Sequence, residues 1–518
     1  MNIDHLSLAP RLLAPALLLF PLSLSAQTVD ESSYRLADAT SLWTETHNAA
    51  GLTLDSITDR GVALIEGTHQ SLGYRRVQEG NQDNGLHFFT ERYQRMGRYL
   101  YGYGKFDFDM GRTKDRRWSD VRRTYNSNPM ISGSEVAASY DRQDISLTAA
   151  VGTTAFGPWR FGLRLDYQLG DLSRLRDPRS RSEMLDYRLT PSLTYTFGHS
   201  TLGLQGHYRR YKEKIPDITT VQTDPNLKYY TMTGMENANG VVGGYNGYMR
   251  EYVDHEFGFR LSYAWQADSW TSLTEAGIDR GSEGVYGTYK YQPGHYHVYR
   301  YALANKTTLR TPQWLHVVNA GVQYEEGFAD EYRQRLTITT DSLTGYNTYS
   351  YVNQMTYRKR YRVRLLEAVL GYRLNSVSEQ GINGYVGVDG ILHAVHNEYH
   401  LPTSSFAHHY ALWGLSAGHG FFANRFWVDA AFRLRQVFGN RLNLADPSTP
   451  YASQVWTVDE QDYYTVNTWR ARLALTYQLP VTIKQHTSMW FVRLDGGYLH
   501  AANSQHNSRA SLAIGMRF

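Results

Sequence analysis

The feature that most constrains this chain is a period of two. Residues 161–169 read Phe-Gly-Leu-Arg-Leu-Asp-Tyr-Gln-Leu, which sets Phe161, Leu163, Leu165, Tyr167 and Leu169 on one face and Arg164, Asp166 and Gln168 on the other. Such alternation marks an extended strand between two unlike surroundings. Residues 185–197 repeat it, with Leu185, Tyr187, Leu189, Leu193, Tyr195 and Phe197 opposite Asp186, Arg188, Thr190 and Thr194. Phe257, Phe259, Leu261, Tyr263 and Trp265 stand against Glu256, Arg260 and Ser262; Ala510, Leu512, Ile514, Met516 and Phe518 stand against Arg509, Ser511 and Arg517. A soluble sandwich also alternates. Here, however, many apolar faces end in Tyr, Trp or Phe while the opposite faces carry charge. That combination suits a lipid-facing exterior with aromatic girdles around a polar lumen. The fold class is all-β, a transmembrane antiparallel β-barrel.

Composition enters as support. The chain holds 41 Tyr, 19 Phe and 11 Trp, an aromatic share of 14%, against a mean hydropathy of −0.51 that would otherwise read as soluble. With no Cys, disulfides, thiolate metal sites and a thiol nucleophile are excluded. A formal net charge of +4 is too small to point to nucleic acid.

Residues 1–26 read as a secretory signal peptide: Arg11 precedes the apolar run Leu12 to Phe20, and Ser23-Leu24-Ser25-Ala26 offers small residues for cleavage. The run is too short to span a bilayer. Residues 27–60 form an expected N-terminal periplasmic segment, in which Asp38 or Thr40 would cap a short helix running to Trp43. That segment is too small for a folded plug domain. Residues 61–518 form the barrel, and the expected location is the bacterial outer membrane.

Strands are expected near 62–79, 84–95, 98–110, 134–153, 159–169, 185–197, 201–212, 254–266, 270–281, 297–310, 314–326, 361–374, 382–396, 406–418, 425–437, 463–479, 487–500 and 509–518. That is about 18 strands, an even number as bacterial barrels require, and merging neighbours would give 16 or 14. Links near 155–158, 198–200 and 311–313 are then periplasmic turns. The long stretches near 111–133, 170–184, 213–253, 327–360 and 438–462 are external loops. Region 213–253, with Gly240, Gly243, Gly244 and Gly247, is the expected constriction or cap.

The Ser-Ala-Gln junction, the absence of Cys, the Tyr-rich strands and the terminal Met516-Arg517-Phe518 resemble outer-membrane barrels of Bacteroidota, and more narrowly a family of such barrels whose function is unassigned. The resemblance implies that Phe518 carries the signal read by the barrel-assembly machinery. Asn48-Ala49-Ala50-Gly51-Leu52 resembles the N-P-x-G-L segment of fatty-acid-transporter-like barrels, with Ala49 in place of Pro.

The chemistry-bearing residues are mainly cationic. Parity places Arg164, Arg188, Arg209, Arg260, Arg433, Arg435, Arg470, Arg472 and Arg493 in the lumen with Asp166, Asp186, Glu256, Asp429 and Asp495. Nine arginines against five acids lean the lumen towards anions. Arg112, Lys114, Arg116 and Arg117, followed by Arg122 and Arg123, fall in an expected external loop, and Arg174, Arg176, Arg179 and Arg181 in the next. The guanidinium fork suits lipopolysaccharide phosphate or an anionic solute. Arg358, Arg360, Arg362 and Arg364 share parity with Leu366 and Leu370 and are expected to face lipid head groups. His393, His396 and His400, His295 with His297, and His408 with His409 are expected to be structural or surface residues rather than a metal site, which needs three or four ligands; no catalytic arrangement stands out, and neither an enzyme nor a cofactor is expected. Three functions remain open. The first is a channel or transporter for small solutes with an open lumen. The second is a non-conducting accessory barrel with a blocked lumen, partnering a surface lipoprotein, a TonB-dependent receptor or a secretion system through surfaces such as 327–360. The third is a lateral-exit transporter for hydrophobic molecules.

Overall fold

The computed structural model describes residues 29–55, 59–123, 126–221, 227–242, 248–483 and 486–518. The signal peptide expected at 1–26 lies outside them, as do Gly243, Gly244 and Gly247. The wall consists of eighteen strands: β1 (Arg60–Leu72), β2 (Gln82–Met96), β3 (Leu100–Arg116), β4 (Ala138–Thr153), β5 (Trp159–Arg174), β6 (Arg179–Phe197), β7 (Ser200–Ile215), β8 (Arg250–Gln266), β9 (Trp270–Gly287), β10 (Gly294–Arg310), β11 (Trp314–Thr340), β12 (Asn347–Ser378), β13 (Gly381–Tyr399), β14 (Ser404–Phe421), β15 (Phe426–Asn443), β16 (Thr468–Ile483), β17 (His486–Ala501) and β18 (His506–Arg517). Each pairs antiparallel with its neighbours, and β18 returns to β1 in the register Val62↔Arg517 to Leu72↔Asn507. The sheet is closed, so the wall has no free edge. The Phe518 backbone locks this seam, its N–H donating to Gly61 O at 3.0 Å and its carbonyl accepting from Gly61 N at 2.6 Å.

The exterior is apolar. Outward positions such as Phe161, Leu163, Phe257, Phe259, Leu370, Trp413, Leu415 and Leu512 are exposed, a burden of bare hydrocarbon that only lipid can cover. Trp159, Trp270 and Trp314 each open a strand straight after a short turn, which places an aromatic belt at the periplasmic interface. No described helix is long and apolar enough to cross a membrane; the strands do so. The chain is an integral barrel of the bacterial outer membrane.

The strands run further on the loop side than the apolar alternation does. Arg112, Lys114 and Arg116 lie in β3 rather than in an external loop, and Arg179 and Arg181 lie in β6. The largest correction is at 327–360. β11 and β12 continue through it as 27- and 32-residue strands, joined by a turn at 341–346. Above the lipid an outward side chain no longer has to be apolar, so the alternation fades while the backbone ladder continues. β10 stops pairing with β11 at Glu331 and β13 stops pairing with β12 at Tyr361. Beyond those points the hairpin rises as a separate arm, about 30 Å long at 3.3 Å per residue.

The N-terminal segment begins with helix α1 (Glu31–Thr40). Asp30 caps it, the carboxylate accepting from Ser33 N at 2.8 Å, and Glu31 adds negative charge to the first turn. The helix thus precedes the one expected from Asp38 onward, and Asp38 and Thr40 lie in its last turn.

Candidate functional site: a lumen closed at both ends

Residues 30–55 lie inside the periplasmic mouth rather than hanging below it. The inward-facing ends of several strands are shaped to admit them. A methyl group at Gly152, Gly162 or Gly203 would collide with the Ala49 carbonyl, the Ala50 backbone or the Trp43 ring. Gly381, at φ +135°, lets its strand pass against Ser32. Ser32 Oγ donates to Ile382 O at 2.7 Å, Ala50 N to Ser192 Oγ at 3.1 Å and Thr53 Oγ1 to Thr153 O at 3.1 Å. Ion pairs tie the segment across the barrel: Arg35 forks Asp429 at 2.9 and 2.8 Å, Glu31 pairs with Arg35 at 2.7 Å and with Arg517, and Glu45 pairs with Lys306. Asp55 accepts from Leu42 N at 2.9 Å and Thr44 N at 2.8 Å to fold the segment back on itself, and burial pushes its carboxyl above the usual range.

The opposite mouth is filled by loops. Trp118, Met130, Ile131, Tyr229, Tyr230, Met232, Met235, Tyr451, Val455 and Tyr464 form one buried apolar cluster with the inward residues Tyr252, Tyr296, Val363, Tyr399 and Phe406 of the wall. Polar bonds tie the loops together: Trp118 Nε1 donates to Gln454 Oε1 at 3.2 Å, and Trp456 Nε1 to Met235 O at 3.0 Å. Val77 N donates to Asp459 Oδ1 at 2.7 Å. Burial pushes the Asp459 carboxyl up to about 7, opposed by its bond from Val77 and by Arg76. The described residues of 213–253 that lie between β7 and β8 are therefore external cap.

Between the closures, the lumen divides. Towards β5–β11 it is packed with mutually neutralised charge. Glu256 takes Arg188 at 3.2 Å, His207 at 3.3 Å, Arg209 at 3.7 Å and Arg300; Arg260 pairs with Asp279 at 2.7 Å, Arg209 with Asp186 at 2.6 Å, and Arg164 with Asp166 at 2.9 Å. Arg300, Glu275, Asp279 and Glu325 complete this half and were not singled out from sequence, because their strands alternate only weakly.

Towards β12–β18 the lumen is hollow. Arg433 and Arg472 point inward yet keep 46% and 45% of their side-chain surface exposed. Arg433 pairs with Asp389 at 2.8 Å, Arg472 with Asp495 at 2.6 Å, and Arg493 reaches the same Asp495 oxygen at 3.8 Å. Arg470 has no carboxylate within salt-bridge distance among the described residues. A cavity of about 400 Å³ lies between α1 and this wall, lined by six arginines and four carboxylates. Arg435 is different: it is buried under the cap, donating to Tyr463 O at 3.2 Å and lying over the Tyr410 ring at 4.5 Å.

The rim cations divide too. Arg112 and Lys114 stand on the outer face near the top of β3, Arg112 pairing with Asp141 at 2.6 Å. Arg116 is occupied by Val121 O at 2.6 Å, and Arg117 opens the following loop. Arg360 is held by Glu331 at 2.6 Å and by the carbonyls of His400 and Leu401, at 3.1 and 2.6 Å. Arg362 and Arg364 share the outer face of β12, Arg364 pairing with Glu398 at 3.4 Å. Phe518 closes the barrel seam, with Arg92 over its ring at 5.5 Å.

Among solved structures, the chain is similar to the FrpB iron transporter of Neisseria meningitidis (10% identity, 91% of this chain and 83% of that one, TM-score 0.39). It is likewise similar to the outer membrane transporter YddB of Escherichia coli (8% identity, 88% and 80%, TM-score 0.41). Scores of this size bear on neither substrate nor mechanism. No curated protein matches the chain in sequence. The sequence from residue 49 to residue 518 matches one described family across the whole barrel, and the chain belongs to that family of unknown function, DUF6850.

Proposed function

We propose that this barrel is a gated transporter for small charged solutes, seen closed. The observation that carries the reading is a hollow, charged half-lumen whose two exits are shut by segments that are not part of the wall. A passive pore with an open lumen does not fit, because residues 30–55 and the loop cap fill both mouths. The floor is the more readily released closure. It is fastened by ion pairs and a few hydrogen bonds, whereas the cap buries a large aromatic cluster, and burial of each such ring is worth roughly 1.5–3 kcal/mol. Efflux of a trapped small anion from proteoliposomes tests the reading. Slow efflux through the full chain and faster efflux through a variant that loosens both closures, Glu31→Gln and Asp429→Asn in the floor with Trp118→Ala and Tyr451→Ala in the cap, is expected; no efflux through either would contradict it.

The accessory-barrel reading keeps one observation in its favour, the arm rising past Glu331 and Tyr361. It carries exposed Ile338, Leu343 (96% exposed) and Tyr346, and stacks Tyr349 on Tyr289 at 4.7 Å. Replacing 334–354 by a two-residue turn separates the readings: efflux unaffected by the change leaves the arm free for a partner, whereas altered efflux makes it part of the gate.

A further inference from the structure

The hollow wall has an unusual pattern of side-chain sizes. Following the register from β12 to β18, one row of directly paired inward residues runs Arg373, Gly387, Ser416, Ala431, Arg472, Gly497, Arg509. The next row towards the cap runs Gly371, Asp389, Gly414, Arg433, Arg470, Leu499, Asn507. Small residues leave the space open, and the long side chains that border it are almost all arginines.

Across these two rows stand five arginines and one carboxylate. Acids from other rows reach only some of them: Asp495 serves Arg472 at 2.6 Å, and Glu66 serves Arg509 at 3.7 Å. Arg373 has only the Tyr385 ring, at 4.7 Å, and Arg470 has neither an acid nor a ring among the described residues. Moreover, Arg433 and Arg470 are direct cross-strand partners. Like charges placed directly opposite destabilise a sheet. In the β5–β11 half, Arg188 and Arg209 are also direct cross-strand partners, yet Glu256 serves both and Asp186 serves Arg209 as well; the Arg433 and Arg470 pair has Asp389 alone, on Arg433.

We infer that the hollow is a binding chamber for a small multivalent oxyanion, a solute carrying two or more carboxylate or phosphate groups, with Arg470 as its unpaired anchor and Arg433, Arg472 and Arg509 around it. Arginine presents a planar fork that such groups accept bidentately. A single monovalent anion would meet one guanidinium only, whereas Arg433, Arg470, Arg472 and Arg509 stand on β15, β16 and β18, within about 15 Å of wall at 4.8 Å per strand. This deepens the transporter reading and rests on it for where the ligand goes, although binding is measured independently of transport.

The test is calorimetric titration of the full chain in detergent, at fixed ionic strength, with inorganic pyrophosphate and with tricarballylate as probes and chloride as reference. Saturable binding of at least one probe is expected, weakened tenfold or more by Arg470→Gln and less by Arg470→Lys, which keeps the charge but not the fork. Arg95→Gln, which removes an equal charge at the periplasmic rim, should leave binding unchanged. Heat-modifiable migration on a gel reports that each variant remains a folded barrel. Equal affinity in Arg470→Gln overturns the inference. So does the absence of binding in both the full chain and Glu31→Gln, in which the floor no longer limits access. Binding without efflux would leave the chamber standing and remove the transporter reading.

Discussion

Glu31→Gln is the most informative single change, because one carboxylate joins the floor helix to β18 through Arg517 and braces Arg35, which forks Asp429 of β15. Its oxygens take Arg35 at 2.7 Å and Arg517, with all three side chains mostly buried. Removing one partner of a buried pair costs about 3–5 kcal/mol, since the remaining charge is left uncompensated. Here the low end applies. Arg35 keeps its fork on Asp429, and Arg517 keeps Gln478 Oε1 at 3.3 Å and the Phe491 ring at 4.3 Å. A loss of about 3 kcal/mol corresponds to about a 100-fold rise in the population with the floor released, at 1.4 kcal/mol per tenfold. Hydrogen exchange reads this directly through the Tyr34 and Ser41 amides, which donate to Asp30 O and Ala37 O at 3.0 Å each. Exchange there should quicken about 100-fold while wall strands such as β6 and β7 stay protected. A change below threefold at α1 would refute the assignment of Glu31 as the floor latch, and an equal quickening across the wall would show that the barrel itself had loosened.

Other outcomes follow from the same geometry. Gly162→Val places two methyl groups where the Ala50 backbone lies, so protease access to residues 41–55 should rise while the barrel stays heat-modifiable; unchanged access would mean the segment docks elsewhere. Asp459 has a folded pKa raised to about 7 against 3.8 when exposed, so its stabilising contribution is complete below about pH 4 and lost as pH rises through 7. By 1.4 kcal/mol per unit the cap should weaken by a few kcal/mol between those limits, seen as a lower protection factor of the Val77 amide at pH 8 than at pH 5 once intrinsic base catalysis of exchange is divided out, and Asp459→Asn should flatten that dependence. Phe518→Ala removes the ring packed against Gly61 and Arg92 at the β1–β18 seam; slower folding into lipid vesicles is the expected result, and an unchanged rate would confine the ring to recognition by the assembly machinery.

Much of the wall was legible because lipid imposes a strict rule on every second residue. Strands with full outward apolar faces, such as those around Phe161–Leu169 and Phe257–Trp265, are found where the alternation puts them. The rule lapses above the bilayer, which is why the arm from Glu331 to Tyr357 read as a loop. Within the lumen the parity of Arg433, Arg470, Arg472 and Arg493 could be read from sequence. Which of these are neutralised could not: Asp495 serves both Arg472 and Arg493, Asp389 reaches Arg433 from two strands away, and nothing in the alternation distinguishes Arg470, which meets no acid among the described residues. The docked floor left one signal, glycines at inward positions 152, 162 and 203 near the periplasmic ends of three strands, and that signal acquires meaning only beside Trp43, Ala49 and Ala50.

The central claim, a closed barrel with an anion-favouring chamber behind a releasable floor, is tested most directly by single-channel recording in a planar bilayer under a salt gradient. The full chain should be silent or open rarely, and the variant that loosens both closures (Glu31→Gln and Asp429→Asn with Trp118→Ala and Tyr451→Ala) should show discrete steps with a reversal potential favouring anions, weakened when Arg470 and Arg472 are replaced by Glu. Steady conductance of the full chain, or cation-selective steps in the released variant, would contradict the account.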